Sequence, residues 1–401
     1  MVCVSRFFQR FVFVVSVAIF AALGLGFVLG EGGWLGVYAG SQQDGAYRQM
    51  GVFGDVLKKI QTDYVTEPNM NDVTAGAMHG LLESLDADSS YLTAAEYKLY
   101  KARPTTGVAQ IGVTVSKRFG YAIVVSVVPG SPADKEHLTT GNVIESIGDQ
   151  STREMAPAVI QMLLNGKPGS TLALSVVRPP KSDPDKITLT RALVPVPALS
   201  EQQYESASIV YLKAGALSAA RVDEIAAKIK AAGKNRKVLL DLRDSTGGDA
   251  QQGLRLANFF IKQGVLGALE GQKFPRQSFA ADPAKWLTDA PLAVLINRST
   301  SGPAELTAAA IIDAKRGDVV GERSFGDGSV QKTFELPGGS ALLLTVAKYQ
   351  SPAGKKIQDE AVTPTVVVGQ TVDEDTEEEA APTKVDEPLN KAIELLKAKN
   401  G

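Results

Sequence analysis

Three short segments of this sequence combine residue types and spacings that could do chemistry. In Leu240-Asp-Leu-Arg-Asp-Ser-Thr-Gly-Gly248 an apolar strand pattern runs into a Gly-Gly turn and then a helix. Gly247 and Gly248 can aim backbone N–H groups into a site, as an oxyanion hole requires. In Asn297-Arg-Ser-Thr-Ser-Gly-Pro-Ala-Glu305 a strand ends in a turn of small residues that opens a helix. A strained nucleophilic serine can sit at such a turn, and helix N-capping by Ser299, Thr300 or Ser301 explains the same residues. The third is Val320-Gly-Glu-Arg-Ser-Phe-Gly-Asp-Gly-Ser-Val-Gln331. Other chemistries are poorly supplied. One cysteine, Cys3, excludes an internal disulfide framework and a Cys-based zinc site. Two histidines, His79 and His137, leave little for a Ser-His-Asp triad or a His-centred metal site. No metal and no cofactor is expected.

The elements that must position these segments can be read from periodicity. Residues 205–369 alternate strand and helix. Val238 to Leu242 and Leu292 to Ile296 are continuous apolar runs, the pattern of strands buried on both faces. Ala219 to Ala232, Gln251 to Ile261 and Ala304 to Ala314 read as helices, and Val330 to Leu336 and Ala341 to Tyr349 as further strands. This predicts a mixed α/β core within an α+β or α/β chain. Residues 107–178 change to short β runs broken by Gly and Pro, a small β module with one helix at Ala156 to Leu164. Residues 45–105 read as a helical region, with Val52, Val56, Leu57 and Ile60 at helical spacing and Thr93-Ala-Ala-Glu96 as a capping box. Residues 370–385 form an acidic linker, and 386–399 a closing amphipathic helix.

The 401 residues hold 44% hydrophobic and 21% charged residues, a balance that suits a globular chain of two or three domains. The net charge of −2 gives no field to hold nucleic acid. Phe11 to Gly30 contains Ser16 as its single polar side chain and is long enough to cross a bilayer. Arg6 and Arg10 precede it, so residues 1–10 are predicted cytoplasmic, 11–30 a membrane anchor, and the bulk extracytoplasmic, in the bacterial periplasm or cell envelope. A cleaved signal peptide is the alternative.

Taken together, the third segment and Leu336-Pro-Gly-Gly-Ser-Ala-Leu-Leu-Leu-Thr-Val-Ala-Lys-Tyr349 resemble the tail-specific, or C-terminal processing, peptidase family. Ser84-Leu-Asp-Ala-Asp-Ser-Ser-Tyr-Leu92 is similar to that family's N-terminal helical region. Residues 107–178, with Gly130-Ser-Pro-Ala133 and Gly166-Lys-Pro-Gly169, resemble its PDZ domain. The resemblance implies a PDZ-bearing peptidase with a Ser-Lys dyad, a nucleophile and a base. It places the serine three residues before Glu305 and the lysine at the centre of Phe325-Gly-Asp-Gly328, with a glutamine four residues on. Those positions hold Gly302, Asp327 and Gln331, and the expected 25-residue spacing between the first two is kept.

Two of the three are therefore substituted. Gly302 has no hydroxyl, and Asp327 carries the charge opposite to a lysine. The residue after the nucleophile position, whose N–H would help form an oxyanion hole, is Pro303, which has none. Ser301 is a neighbouring hydroxyl, and Lys332 the nearest amine in sequence. Lys332 follows Gln331 on a predicted strand, however, so the two side chains face opposite ways. The expectation is a family member that no longer cuts and that binds unfolded peptides or C-terminal tails, with an active peptidase relative as a possible partner. The alternatives are an active serine peptidase built on Ser301 and a structural envelope protein. Peptide capture is expected at Gln110-Ile-Gly-Val-Thr-Val115, read as the carboxylate loop and edge strand: Gln110, Ile111, Gly112, Val113, Thr114 and Val115.

Overall fold

The computed structural model describes residues 47–104, 107–118, 120–206, 208–233, 236–369 and 385–399. The apolar run Phe11–Gly30 and residues 370–384 of the acidic linker lie outside them. Among the described residues no helix is long and apolar enough to cross a membrane. The chain divides into two compact units at Thr74. In the first, residues 47–63 form a helix. Its Val52 and Val56 are exposed, and Lys59 pairs with Asp63 one turn later at 2.8 Å.

The second unit holds three sheets. The largest has six strands in the order Val366–Val367, Asp318–Gly321, Leu292–Ile296, Lys237–Asp241, Ile209–Lys213 and Ser200–Tyr204. All neighbours are parallel except the last pair. Alternate residues serve opposite faces. Val210, Leu212, Val238, Leu240, Val294 and Ile296 pack on one side with the helices Ala219–Ala232, Ala250–Asn258 and Pro303–Asp313. Ile209, Tyr211, Leu239, Ala293, Leu295 and Val320 pack on the other with Ala392 and Leu396 of the helix Glu387–Ala398. Both faces are covered, which is why these strands read as unbroken apolar runs.

The C-terminal helix is fixed at both ends. Asp386 caps it by accepting from Leu389 N at 3.1 Å and pairs with Arg243 at 2.7 Å. Lys237 Nζ donates to the carbonyls of Leu396 and Lys399, each at 2.7 Å, which meets orphan acceptors of its last turn. Arg243 also pairs with Asp241, a fully buried carboxylate that accepts from Tyr211 Oη at 2.7 Å.

The β module is a five-stranded sheet, Val113–Arg118, Tyr121–Val127, Val143–Ile147, Thr171–Val177 and Asp185–Thr190, with a short strand Gln150–Ser151 beside the third. The helix Pro157–Leu164 closes its core through Ile160 and Leu164. The module runs past the boundary read at Arg178. The Pro-rich stretch is a hairpin turn, and Asp185–Thr190 pairs along its whole length with residues Thr171 to Val176. Only Leu189 in that strand is buried, so its composition is too polar to announce a strand. The α/β core likewise begins before residue 205, because Ser200–Tyr204 pairs with Ile209–Lys213. The third sheet contains Ser90–Leu92, Ala341–Gln350, Val265–Gly271, Phe274–Ala280 and Ser329–Glu335.

Candidate active site and its substituted positions

The three segments singled out from sequence follow the carboxyl ends of three adjacent parallel strands, Lys237–Asp241, Leu292–Ile296 and Asp318–Gly321. That end of an open α/β sheet is where ligands usually bind, because the connecting loops splay there. The loops are tied to one another by backbone bonds. Ser301 N donates to Ser245 O at 3.0 Å, and Phe325 N to Thr300 O at 2.9 Å. Asn297 Oδ1 accepts from Asp244 N, and Asn297 Nδ2 donates to Asp244 Oδ1 at 2.8 Å.

Glu305 is the keystone. It is 0% exposed and stands one turn into the helix Pro303–Asp313. Its carboxylate accepts from Gly302 N at 3.0 Å, Gly326 N at 2.8 Å, Asp327 N at 2.7 Å and the Ser324 hydroxyl. One buried acid thus fixes both the Gly302 turn and the loop carrying Asp327. Burial pushes this carboxyl up to about 7, while its donors pull the other way. In the sequence Glu305 marks the register of the motif, and its hold on both loops comes from the fold.

Gly302 adopts φ 61° and ψ −121°, a backbone state that favours glycine. A Cβ placed there would lie 3.5 Å from Asp327 Oδ2 and meet nothing closer. The two positions that the resemblance assigns to nucleophile and base therefore face one another. Asp327 opens onto the cleft but is crowded by protein. That crowding, together with the charge of Asp88, pushes its carboxyl up to about 6, against the pull of Arg118. Pro303 supplies no N–H, and the N–H of Gly302 is taken by Glu305.

Ser301, 3% exposed, and Asp327 line a cavity of about 80 Å³ together with Asp88, Gln358 and strand residues Thr114, Val115 and Ser116. The β module therefore lies over the substituted positions. Thr114 and Ser126 hydroxyls meet that of Thr246 at 3.1 and 3.0 Å, and Thr140 meets Ser299 at 2.8 Å. Arg118 pairs with Asp359 at 2.9 Å and stands 4.9 Å from the Phe325 ring centroid.

Gly247 and Gly248 sit in the turn after Ser245, both at positive φ. Gly248 lies so close to Leu217 that a Cβ would come 2.3 Å from its carbonyl oxygen. Gln331 is not in the small cavity. Its side chain donates to the carbonyl of Asp88 and lines a larger cleft of about 1330 Å³. Lys332 points along the same face as Phe334, whose ring centroid is 5.4 Å away. Of the residues read as a peptide site, Gln110 lines the large cleft with Met162 and Leu163 of the helix Pro157–Leu164. Ile111 and Val113 are instead packed in the core of the β module. Thr114 and Val115 face the small cavity. Gly112 has φ 87° and lies against Ser131, whose Cβ would be 2.2 Å from an added methyl. The edge strand begins at Val113, two residues later than the apolar pattern suggests. Two residues with large parts in the site are not assigned to it by the sequence, although Asp88 lies within the quoted segment Ser84–Leu92. Asp88 borders both cavities, and Gln358 bridges Gly328 N and Asp88 at 2.8 and 2.9 Å. Both come from segments distant in sequence.

Comparison with known proteins agrees with this architecture. Residues 206–368 match peptidase family S41, and residues 109–190 match the PDZ domain. The chain is 30% identical to a carboxy-terminal-processing protease of Bartonella bacilliformis over 343 residues, 83% of this chain and 78% of that one. It is 26% identical to the carboxy-terminal processing protease CtpA of Bacillus subtilis over 360 residues, 89% and 76% of the two chains. Among solved structures, the photosystem II D1 C-terminal processing protease superposes with a TM-score of 0.65 over 79% of this chain and 92% of its own, at 24% identity. By these similarities the protein belongs to peptidase family S41, among the carboxy-terminal processing proteases.

Proposed function

We propose that this chain is a catalytically inactive member of its family that holds unfolded or C-terminal peptide segments without cutting them. The observation that carries the reading is the pair Gly302 and Asp327, placed so that a Cβ on Gly302 would lie 3.5 Å from Asp327 Oδ2, with no hydroxyl and no amine at either position. A dyad needs a nucleophile and a matched base in contact. Ser301 is a poor substitute. The N–H that would follow it in an oxyanion hole belongs to Gly302, and Glu305 already occupies it. The large cleft supplies the room for a segment of extended chain, between the helices Ala94–Ala102 and Pro157–Leu164. Its relatives are named for processing carboxy-terminal segments, which supports tails as the ligand class.

The reading includes attachment to a membrane through Phe11–Gly30, with the globular part extracytoplasmic, on the strength of the apolar run and the arginines before it. An active peptidase relative is the partner that such a holder would serve. The test is degradation of an unfolded, tail-bearing protein by wild type and by Ser301→Ala, beside a titration of the same tail as a peptide. Binding without cleavage is expected. Cleavage by wild type that Ser301→Ala abolishes would overturn the reading in favour of a shifted nucleophile. Absence of both binding and cleavage would favour a structural envelope role.

A further inference from the structure

The cavity at the substituted positions has an unusual lining. Asp327 and Asp88 both present carboxylates to it, and neither has an ion pair among the described residues. The cations nearby are engaged elsewhere. Arg118 and Lys348 both pair with Asp359, at 2.9 and 3.6 Å. Gln358 donates to Asp88 but is neutral. Independently of the acids, Ser301 is 97% buried by the complement of its 3% exposure, and it lines the same cavity. Its hydroxyl makes no hydrogen bond to another described residue, whereas its N–H is bonded to Ser245. The residue is buried on every other side, so a partner for this hydroxyl has to come from the cavity.

We propose that this cavity binds a primary ammonium group, and that its source is a lysine side chain of the bound peptide. An ammonium carries three N–H donors on a compact charge. Asp327, Asp88 and the Ser301 hydroxyl offer it three acceptors. The volume of about 80 Å³ admits such a group. Asp88 also borders the large cleft, so a chain lying there passes the cavity mouth. The peptide source rests on the peptide-holding reading above; the ammonium chemistry does not. The crowding of protein around it, and then the charge of Asp88, hold the Asp327 carboxyl high against the pull of Arg118. Binding should therefore weaken as pH falls through about 6, where Asp327 takes a proton. The groups facing it are Asp88, Glu305 and Arg118, with Asp359 and Lys348 behind.

The test uses the full chain and two kinds of probe. n-Butylammonium, the end of a lysine side chain as a free amine, is titrated against tetramethylammonium at equal ionic strength, which has charge but no N–H. Two otherwise identical alanine–leucine peptides carry lysine or norleucine at the centre. Wild type should prefer the lysine peptide about tenfold, the size of one charge-assisted contact. The preference should shrink in Asp327→Asn and vanish in Asp327→Lys, which brings its own ammonium; circular dichroism checks that both fold. Equal binding of the two peptides by wild type, or a preference that survives in Asp327→Lys, overturns the proposal and leaves peptide holding intact. If neither peptide binds, the peptide-holding reading falls. Butylammonium binding that is lost in Asp327→Lys would then uphold the cavity with a free amine as its source, and no butylammonium binding would overturn it.

Discussion

Replacing Glu305 should disclose how much of the site depends on one buried carboxylate. Glu305→Ala removes the acceptor of three backbone N–H groups and one hydroxyl. Gly302 and Asp327 border the cleft, so water can reach their N–H groups. Gly326 and Ser324 are buried, and their donors would be stranded at roughly 1–3 kcal/mol each. With the void left by the side chain, the expected loss is about 3–5 kcal/mol, a large part of a typical total of about 5–15 kcal/mol. Glu305→Gln keeps the shape but turns one acceptor oxygen into a donor. With its amide group toward Ser324, the serine can rotate to accept, but Gly326 N–H then faces another N–H. At least one donor is lost, for about 1–3 kcal/mol. Glutamine also mimics the protonated acid, so its cost reports the charge that Glu305 carries. The assay is urea unfolding of wild type, Glu305→Gln and Glu305→Ala at pH 8. A glutamine variant as stable as wild type would mean that the native acid is protonated there, and that the four-donor account of this site is wrong.

Gly302→Ser alone should leave the chain without peptidase activity and cost about 1–3 kcal/mol, because a serine has room but must hold φ 61°; thermal melts and a degradation assay read both. Activity should require Gly302→Ser, Pro303→Ala and Asp327→Lys together, since a nucleophile, base and oxyanion donor act as a unit. Asp327→Asn should flatten the stability–pH curve between about pH 4 and 6. The folded-state carboxyl lies above its unfolded value, so its contribution is present below the unfolded pKa and is lost as pH rises through about 6. The variant should therefore gain on wild type as pH climbs through that window in melts taken at several pH values. Arg243→Ala should cost about 3–5 kcal/mol by leaving Asp241 buried without its cation, and it should loosen the C-terminal helix through Asp386; hydrogen exchange over residues 387–398 would show it. An unchanged stability would refute the buried-pair argument.

The architecture of the α/β core and the register of the site are legible in the chain before it folds. Runs such as Leu292–Ile296 are apolar at every position because both faces of that strand are covered, and this pattern is local. The 25-residue interval from Gly302 to Asp327 is likewise a property of the chain, and it brings the two positions into contact. The strand Asp185–Thr190 could not be read, since its place in the sheet comes from backbone pairing with Thr171–Val177 rather than from apolar side chains. Other facts arise only when distant segments meet. Asp88 and Gln358 are 270 residues apart in sequence, and their contact is made by the fold alone. Folding lays Thr114 to Ser116 over Ser301 and Asp327, and so turns two substitutions into an anionic cavity. Burial and neighbouring charge, not residue type, lift Asp327 to about 6, because the free energy of a charge depends on what surrounds it.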